Sequence, residues 1–369
     1  MTYYIKQLRI QKFKSLKDTI VSFNRLTVLA GANSVGKSTV IQSILLSRTV
    51  FDNKQADKIA INGNYLMQLG FNNQITNSML IRVHYLFENV NKKTFDFPIK
   101  FEAQPNENYL MPFTLFETIE RLDTSLFTPN FHYLNAERVG PRPSYGTRVN
   151  QLPTVGYQGE YTIELLTNGQ LFDVSEVKNF HNITHTEGES PNNLSQQTEL
   201  WMNFIIPGIQ IDAKKIIEVN RTVGLFNNHT APNVGFGISY VLPIVVSGLI
   251  AEEGSILIVE NPEAHLHPYG QSKIGYFLAM VAASGVQVIV ETHSEHVING
   301  MRIASVNEII SNEQIQINFF SRKEPDTQPH IETIEINKMG DLTKFPYGFF
   351  DQAIHDTTTI IKTRKNKKS

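Results

Sequence analysis

Residues 26–39 read Leu-Thr-Val-Leu-Ala-Gly-Ala-Asn-Ser-Val-Gly-Lys-Ser-Thr, which fits the pattern G-x-x-x-x-G-K-[ST] directly after an apolar run. The two glycines, Gly31 and Gly36, allow the backbone N–H groups to point at phosphate oxygens. Lys37 can reach the β- and γ-phosphates, and the Ser38 hydroxyl can ligate Mg²⁺. A helical apolar pattern from Val40 onward adds a positive helix end. The stretch predicts a nucleotide site formed by Gly31, Ala32, Asn33, Ser34, Val35, Gly36, Lys37, Ser38 and Thr39.

The composition limits the classes of protein to consider. The 369 residues carry a net charge of −2 and include no cysteine, which excludes disulfides and cysteine-ligated metals. The near-neutral net charge does not favour nucleic acid as a partner, although the protein could still have a local basic face. The start of the sequence lacks a signal-peptide pattern, and its apolar stretches are too short to span a bilayer. We therefore expect a cytoplasmic protein without a membrane segment.

The periodicity of the chain predicts a mixed α/β fold. Alternating patterns indicate a hairpin over 3–23 and a strand pair over 79–87 and 94–101. Continuous apolar runs at 255–259 and 286–290 are typical of strands buried in a parallel sheet. The remaining predicted elements are a short strand at 131–135, helices near 199–206, at 239–251 with Ser239 as N-cap, at 271–283 and from 296, a hairpin over 314–320 and 330–336, and a frayed basic tail.

These elements suggest four segments. The first, 1–142, is an N-terminal lobe with the phosphate loop and an antiparallel β subdomain. Residues 143–233 are polar with weak periodicity and are interpreted as an inserted lid or arm. Residues 234–310 form a C-terminal lobe, and residues 311–369 form a hairpin with an extension.

Three further patterns complete a predicted active site. Glu260 ends an apolar strand, where a carboxylate can act on Mg²⁺ beside the phosphate loop, and Pro-Glu-Ala-His-Leu-His-Pro follows from position 262. His293 follows the next apolar strand, so it lies at the edge where open α/β sheets bind ligands. Gly235, Gly237 and Ser239 precede or begin a helix, whose N-terminus is suited to an anion.

The order of these motifs resembles the ABC ATPase superfamily, and more narrowly its SMC/OLD-like branch. The opening strand with Phe13 and Ser15, and the run Glu-x-Pro-Glu-x-His-Leu-His-Pro from Glu260, carry this resemblance. Residues 133–142 and 340–351 are similar to a bacterial group with a short C-terminal extension of uncharacterised role. The resemblance implies a P-loop NTPase of ABC type whose mostly parallel sheet is flanked by helices. It also implies a homodimer that sandwiches ATP between phosphate loops and opposed signature loops.

Two departures from that family pattern affect the expected chemistry. ABC ATPases commonly carry a catalytic Glu after the strand-end acid, whereas this chain carries Asn261 there. The role of base then passes to Glu263, passes to His293, or is missing, with Asn261 able only to orient water. OLD-type nucleases continue into a nuclease domain, and the sequence here shows no acidic cluster for one. A nuclease would therefore be a separately encoded partner.

The leading hypothesis is an ATP-switched dimer that hydrolyses ATP slowly as the ATPase subunit of an antiphage defence or DNA-transaction complex. In this hypothesis, Mg²⁺ is held by Ser38 and Glu260. The residues that act at the γ-phosphate are Glu263, Asn261 and His293. The signature residues Gly235, Gly237 and Ser239 contact the nucleotide of the partner protomer. Arg138 and Arg142 either contact phosphate or DNA or brace a loop. The alternative is a stand-alone DNA-binding, SMC-like repair ATPase. A kinase or GTPase is disfavoured because the Asn-Lys-x-Asp base reader is missing.

Overall fold

The computed structural model describes residues 2–53, 56–113, 123–128, 130–148, 153–184, 191–322 and 328–366. The strands are β1 (Tyr4–Phe13), β2 (Leu16–Ser22), β3 (Leu26–Gly31), β4 (Ile59–Ala60), β5 (Leu80–Glu88), β6 (Thr94–Glu102), β7 (Tyr109–Phe113), β8 (Phe131–Leu134), β9 (Tyr145–Gly146), β10 (Ile211–Ile216), β11 (Arg221–Phe226), β12 (His229–Thr230), β13 (Ile256–Glu260), β14 (Gln287–Thr292), β15 (Ile315–Ser321) and β16 (His330–Ile334). The α-helices are α1 (Lys37–Asp52), α2 (Asn72–Ile75), α3 (Thr162–Thr167), α4 (Phe180–Thr184), α5 (Leu194–Ile205), α6 (Phe236–Ile250), α7 (Pro268–Ala283), α8 (Glu295–Val306) and α9 (Gln352–Asn366).

The central sheet has the strand order β16-β15-β3-β14-β13-β8. Its strands pair in parallel except for β16, which pairs antiparallel with β15 at one edge. Most residues of β3, β13 and β14 are buried, which explains their continuous apolar character. The mostly parallel sheet, the terminal hairpin and the flanking helices confirm the predicted α/β fold class.

The two faces of this sheet pack against different layers. Leu257 and Val259 of β13 join a core formed with α6, α7 and α8. Their neighbours Ile256 and Ile258 point to the other face, into a core shared with α1 and the N-terminal strands. Alternate side chains of one strand therefore connect the two cores, so the sheet is covered on both sides.

A second, antiparallel sheet covers the α1 side, with the strand order β2-β1-β5-β6-β7-β4. The β1–β2 hairpin and the β5–β6 pair confirm the two predicted antiparallel pairs. Every second residue of β5 is buried, in keeping with one face in the core and one toward solvent.

The polar middle of the chain contains a small sheet, in which β11 pairs with β9, β10 and β12. The predicted helix near 199–206 is present as α5, which begins earlier because the Asn193 side chain accepts from the Gln196 N–H. Trp201 of α5 is fully buried in the same core as the central sheet. The separation of 143–233 as a lid or arm remains a prediction.

Two local predictions are wrong. The helix predicted to start at an N-cap Ser239 starts at Phe236 with Gly235 as N-cap, so Ser239 lies inside α6. The Phe236 ring packs on His265, with centroids 5.5 Å apart, and this long-range contact leaves no local signal. The tail predicted to fray forms α9 as far as Asn366, with Asp351 at its N-terminal end where a carboxylate favours a helix. Lys367 and Lys368 lie outside the described residues.

No helix in the described part of the chain combines the length and apolar character needed to cross a bilayer.

Candidate active site

The phosphate loop joins β3 to α1 and depends on glycine at both ends. Gly31 has φ 137°, and a Cβ there would lie 2.2 Å from the Phe320 carbonyl oxygen of the neighbouring strand. Gly36 has φ 108° and occupies the N-cap position of α1. These positive φ values strain any residue with a side chain. The loop therefore has the curled form that its sequence predicts.

Lys37 is the first residue of α1, directly after this loop, and is almost completely buried. Its Nζ donates to the carbonyl oxygens of Gly31 at 3.0 Å and Ala32 at 2.6 Å. Burial lowers the pKa of Lys37, and the charges of Glu291 and Glu263 oppose that effect. The ammonium is thus held at the concave side of the loop, where phosphate oxygens could replace the carbonyl partners.

Glu291, for which the sequence predicts no role, is the acid nearest to the predicted metal ligand Ser38. The Ser38 hydroxyl donates to Glu291 Oε1 at 3.0 Å, and Lys37 Nζ lies 3.9 Å from the same oxygen. Glu291 belongs to β14 and is 5% exposed. In the sequence, Glu291 directly follows the apolar run at 286–290. This position is equally compatible with a carboxylate that faces solvent, so the sequence alone does not single it out.

Glu260 ends β13 and lies opposite Glu291 in the parallel register. The Tyr133 hydroxyl donates to Glu260 Oε1 at 2.8 Å, and the Asn135 amide donates to the Tyr133 oxygen at 2.9 Å. Burial, followed by the negative charge of Glu291, raises the pKa of Glu260 to about 7. The strand end therefore holds two carboxylates that a cation would favour in their ionised forms.

The chain turns sharply after Glu260. Asn261 has φ 46°, a left-handed conformation that asparagine tolerates, and its N–H donates to the Glu291 carbonyl at 2.8 Å. The buried Asn261 Oδ1 has no hydrogen-bond partner among the described residues. Asn261 therefore presents an amide oxygen, not a base, at the position after the strand-end acid.

Arg138 supports this turn from behind. Its guanidinium donates to the carbonyl oxygens of Glu260 and Asn261, and the residue is 3% exposed. Of the two alternatives left open for Arg138, this placement favours the brace over a contact with DNA. Arg142 lies on the surface, and its backbone N–H donates to the Tyr145 hydroxyl.

Glu263 contacts the end of β14 with both carboxylate oxygens. Oε2 accepts from the Thr292 hydroxyl and Oε1 from the His293 N–H, each at 2.7 Å. His293 is exposed at the cleft, yet residual desolvation and then the charge of Lys37 lower the pKa of its ring. Glu263 thus positions the segment that carries His293, and the neutral imidazole is favoured there.

A cleft of about 630 Å³ brings half of the predicted site residues together. Its described lining includes Ser34, Lys37, Ser38, Glu260, Asn261, Glu291 and His293. Lys14 and Gln42, for which the sequence predicts no binding role, also line it, and Lys14 Nζ donates to Gln42 Oε1 at 3.0 Å. The cleft is polar and open, as a site for a charged nucleotide requires.

The signature residues are placed elsewhere. Gly235, Gly237 and Ser239 do not belong to the described lining of the cleft. A Cβ on Gly237 would lie 2.8 Å from the His265 carbonyl oxygen, so glycine allows α6 to begin against the turn after β13. Ser239 is buried within the helix. The N-terminal end of α6 therefore does not contribute to the phosphate loop of its own chain.

The residues present fit a magnesium ion. Ser38, Glu260 and Glu291 offer hydroxyl and carboxylate oxygens, the ligands that Mg²⁺ prefers. One oxygen of Glu291 and the amide oxygen of Asn261 are buried without a hydrogen-bond partner in the described part of the chain. A hard cation shared with nucleotide phosphates would satisfy such oxygens.

Comparisons with known proteins agree with this geometry. The family model described as "AAA domain, putative AbiEii toxin, Type IV TA system" matches residues 26–299. A second model, "Protein of unknown function (DUF3696)", matches residues 310–359. A search of curated proteins gives no match.

Solved structures share the fold. An SMC head bound to the C-winged helix domain of ScpA has a TM-score of 0.53 at 14% identity, over 91% of this chain and 98% of that chain. An Smc head with an extended coiled coil, bound to the C-terminal domain of ScpA derived from Pyrococcus furiosus, has a TM-score of 0.50 at 11% identity, over 99% and 100%. These likenesses show the fold of an SMC-type ATPase head.

Proposed function

Since the chain belongs to the AbiEii-type AAA domain family and is an ATPase with the fold of an SMC head, we propose that it acts as an ATP-driven dimerisation switch. In this proposal Lys37 and the loop amides bind the phosphates of ATP, and Ser38 and Glu260 hold Mg²⁺. The γ-phosphate and the metal supply contacts that exist only in the closed dimer, so ATP shifts the population toward it. Slow hydrolysis, with Glu263, Asn261 or His293 near the attacking water, reopens the dimer.

One observation carries this proposal. The N-terminal end of α6 is set apart from the phosphate loop of its own chain, and Phe236 at that end is 56% exposed. Helix N-termini favour anions through their free N–H groups. An end that does not contribute to its own cleft is suited to close over the nucleotide of a second protomer, with Gly235, Gly237 and Ser239 as the signature segment.

The biological setting is inferred from the relatives. Both SMC heads were solved with a bound ScpA domain, which supports a protein partner for this ATPase as well. The description of the matched family names a toxin and a type IV toxin–antitoxin system. We place the chain in a cytoplasmic bacterial defence complex, in which a separately encoded effector, for example a nuclease, is controlled by the ATP-dependent dimer.

The experiment is a complementation between two inactive variants. Lys37→Ala removes the phosphate contact but keeps the α6 end, whereas Phe236→Glu alters the exposed α6 end but keeps the loop. Each variant alone is expected to stay monomeric with a non-hydrolysable ATP analogue, by light scattering. A mixture contains one intact composite site per heterodimer and is expected to recover a dimer and part of the ATP turnover.

The matched control is Tyr347→Glu, which alters an exposed aromatic residue in the C-terminal segment. It is expected to dimerise like the wild type. A mixture that recovers neither mass nor turnover, while the wild type binds ATP and dimerises, would rule out sites shared between protomers. Turnover that rises with duplex DNA and falls steeply with salt would instead favour the DNA-binding alternative.

A further inference from the structure

Glu291 is a buried carboxylate in the cleft that the proposed mechanism does not use. We propose that Glu291 is a second protein carboxylate ligand of the nucleotide-bound Mg²⁺, beside Ser38 and opposite Glu260, and that it makes ATP binding depend on the metal. The inference rests on the proposed nucleotide site and assigns a specificity role within it. This assignment adds a second carboxylate to the metal site predicted from the sequence, in which Glu260 is the single protein carboxylate.

The geometry brings three oxygen-bearing side chains to one point. Glu291 Oε1 lies 3.0 Å from the Ser38 hydroxyl oxygen, and Ser38 is the predicted metal ligand of the phosphate loop. Glu260 and Glu291 are direct neighbours on parallel strands, and both line the cleft. A cation bound by Ser38 would therefore lie within the reach of both carboxylates.

The second oxygen of Glu291 is available to bind a metal ion. Glu291 is 95% buried, and its Oε2 has no hydrogen-bond partner among the described residues. The amide oxygen of Asn261, which also lines the cleft, is likewise buried without a hydrogen-bond partner among the described residues. Buried carboxylate oxygens are costly unless they are paired, hydrogen-bonded or bound to a metal. Mg²⁺ binds oxygen ligands and keeps several waters, which suits two carboxylates, a hydroxyl and phosphate oxygens.

Charge explains why the metal would control nucleotide binding. The ammonium of Lys37 lies 3.9 Å from Glu291 Oε1. Bound phosphates would compete with Glu291 for this positive charge. ATP without a metal would then place its negative charges beside two carboxylates. Mg²⁺ between them removes this repulsion. A site with two carboxylates should therefore bind the ATP–metal complex more tightly than metal-free ATP.

The test measures binding of a fluorescent ATP analogue in EDTA and during titration with Mn²⁺, with free Mn²⁺ followed by electron paramagnetic resonance. Glu291→Gln keeps an acceptor for Ser38 but removes the charge. It is expected to raise the half-saturating Mn²⁺ concentration at least about tenfold. It is also expected to increase the affinity for the analogue in EDTA. Glu295→Gln, which replaces a half-buried acid in the first turn of α8, is the matched control and should leave both values unchanged.

The outcomes separate this inference from the proposed function. A wild type that binds no analogue with or without Mn²⁺ contradicts the nucleotide site itself, and this inference with it. A wild type that binds the analogue, with an unchanged Mn²⁺ dependence in Glu291→Gln, overturns the ligand role alone. Equal losses of affinity in EDTA and in Mn²⁺ would also overturn it, because they indicate a support for the loop. Glu291→Asp, which keeps the charge, should retain the metal requirement, and thermal unfolding checks that each variant is folded.

Discussion

Glu263 and His293 are joined by a hydrogen bond from the His293 N–H to Glu263 Oε1, across 30 residues of sequence. The other oxygen of Glu263 accepts from the Thr292 hydroxyl. The acidic segment after β13 and the histidine segment after β14 are thus one unit. A change at Glu263 acts on the position of His293 as well as on any proton transfer of its own.

Substitutions at Glu263 should separate these two roles. Glu263→Gln retains an acceptor for the His293 N–H, so we expect stability within about 0.5 kcal/mol of the wild type. Glu263→Ala leaves the Thr292 hydroxyl and the His293 N–H without an acceptor. It should lower the free energy of unfolding by about 1–3 kcal/mol. If Glu263 is the base, Glu263→Gln binds ATP but loses turnover by about 100-fold or more. Urea unfolding and phosphate release measure the two effects, and unchanged turnover in Glu263→Gln would direct attention to His293.

Asn261→Glu should accelerate hydrolysis. The substitution restores a carboxylate at the position after the strand-end acid, and a well-placed general base contributes about 100-fold or more to a rate. The left-handed backbone at φ 46° should cost about 1 kcal/mol of stability with glutamate. Asn261→Asp, whose shorter side chain suits the same backbone, is the control. Equal phosphate release from all three proteins would show that this position does not reach the attacking water.

Gly31→Ala should unfold the phosphate loop. A Cβ at this position would lie 2.2 Å from the Phe320 carbonyl oxygen, on a backbone with φ 137°. We expect a loss of about 3 kcal/mol or more in the free energy of unfolding. Gly63→Ala is the matched control, since Gly63 also has a positive φ but no atom within 4 Å of a new Cβ. It should cost only about 1 kcal/mol, and equal losses in the two variants would contradict the steric argument.

His132 should make the protein sensitive to acid. The residue is buried in β8, and burial, followed by the charge of Lys178, lowers the pKa of its ring from 6.5 to about 4. The unfolded chain therefore binds a proton between these two pH values while the folded chain does not. The resulting contribution to stability is present above pH 6.5 and is lost as the pH falls to about 4, at most about 3 kcal/mol.

His132→Leu should remove that part of the pH dependence, as measured by urea unfolding at a series of pH values. His330→Gln, which replaces a largely exposed histidine, should leave it unchanged. A wild-type stability that is flat between pH 6.5 and 4, or a slope that persists in His132→Leu, would show that other groups dominate acid unfolding.

Local patterns were sufficient for the elements that carry the ATPase fold. The strand–loop–helix unit around Lys37, the buried strands ending near Glu260 and His293, and the N-terminal hairpin each have a short-range signal. Continuous apolar runs, alternation and fixed glycines arise from a residue's own backbone and immediate neighbours. The same signals failed at Ser239: α6 begins earlier, at Phe236, whose ring packs against the distant His265.

The fold class and the residues predicted to surround the phosphates follow from local sequence, because the phosphate loop and its strand are contiguous in the chain. Three contacts depend on the folded chain: Glu291 Oε1 lies 3.0 Å from the Ser38 hydroxyl oxygen, Arg138 braces the Glu260 turn, and Glu263 holds the His293 segment. These contacts join residues between 30 and 253 positions apart, and their partners depend on strand order and register. A local sequence pattern does not indicate which strand ends will lie side by side. The parallel pairing of β13 with β14 and of β14 with β3 places the ends of these three strands next to one another.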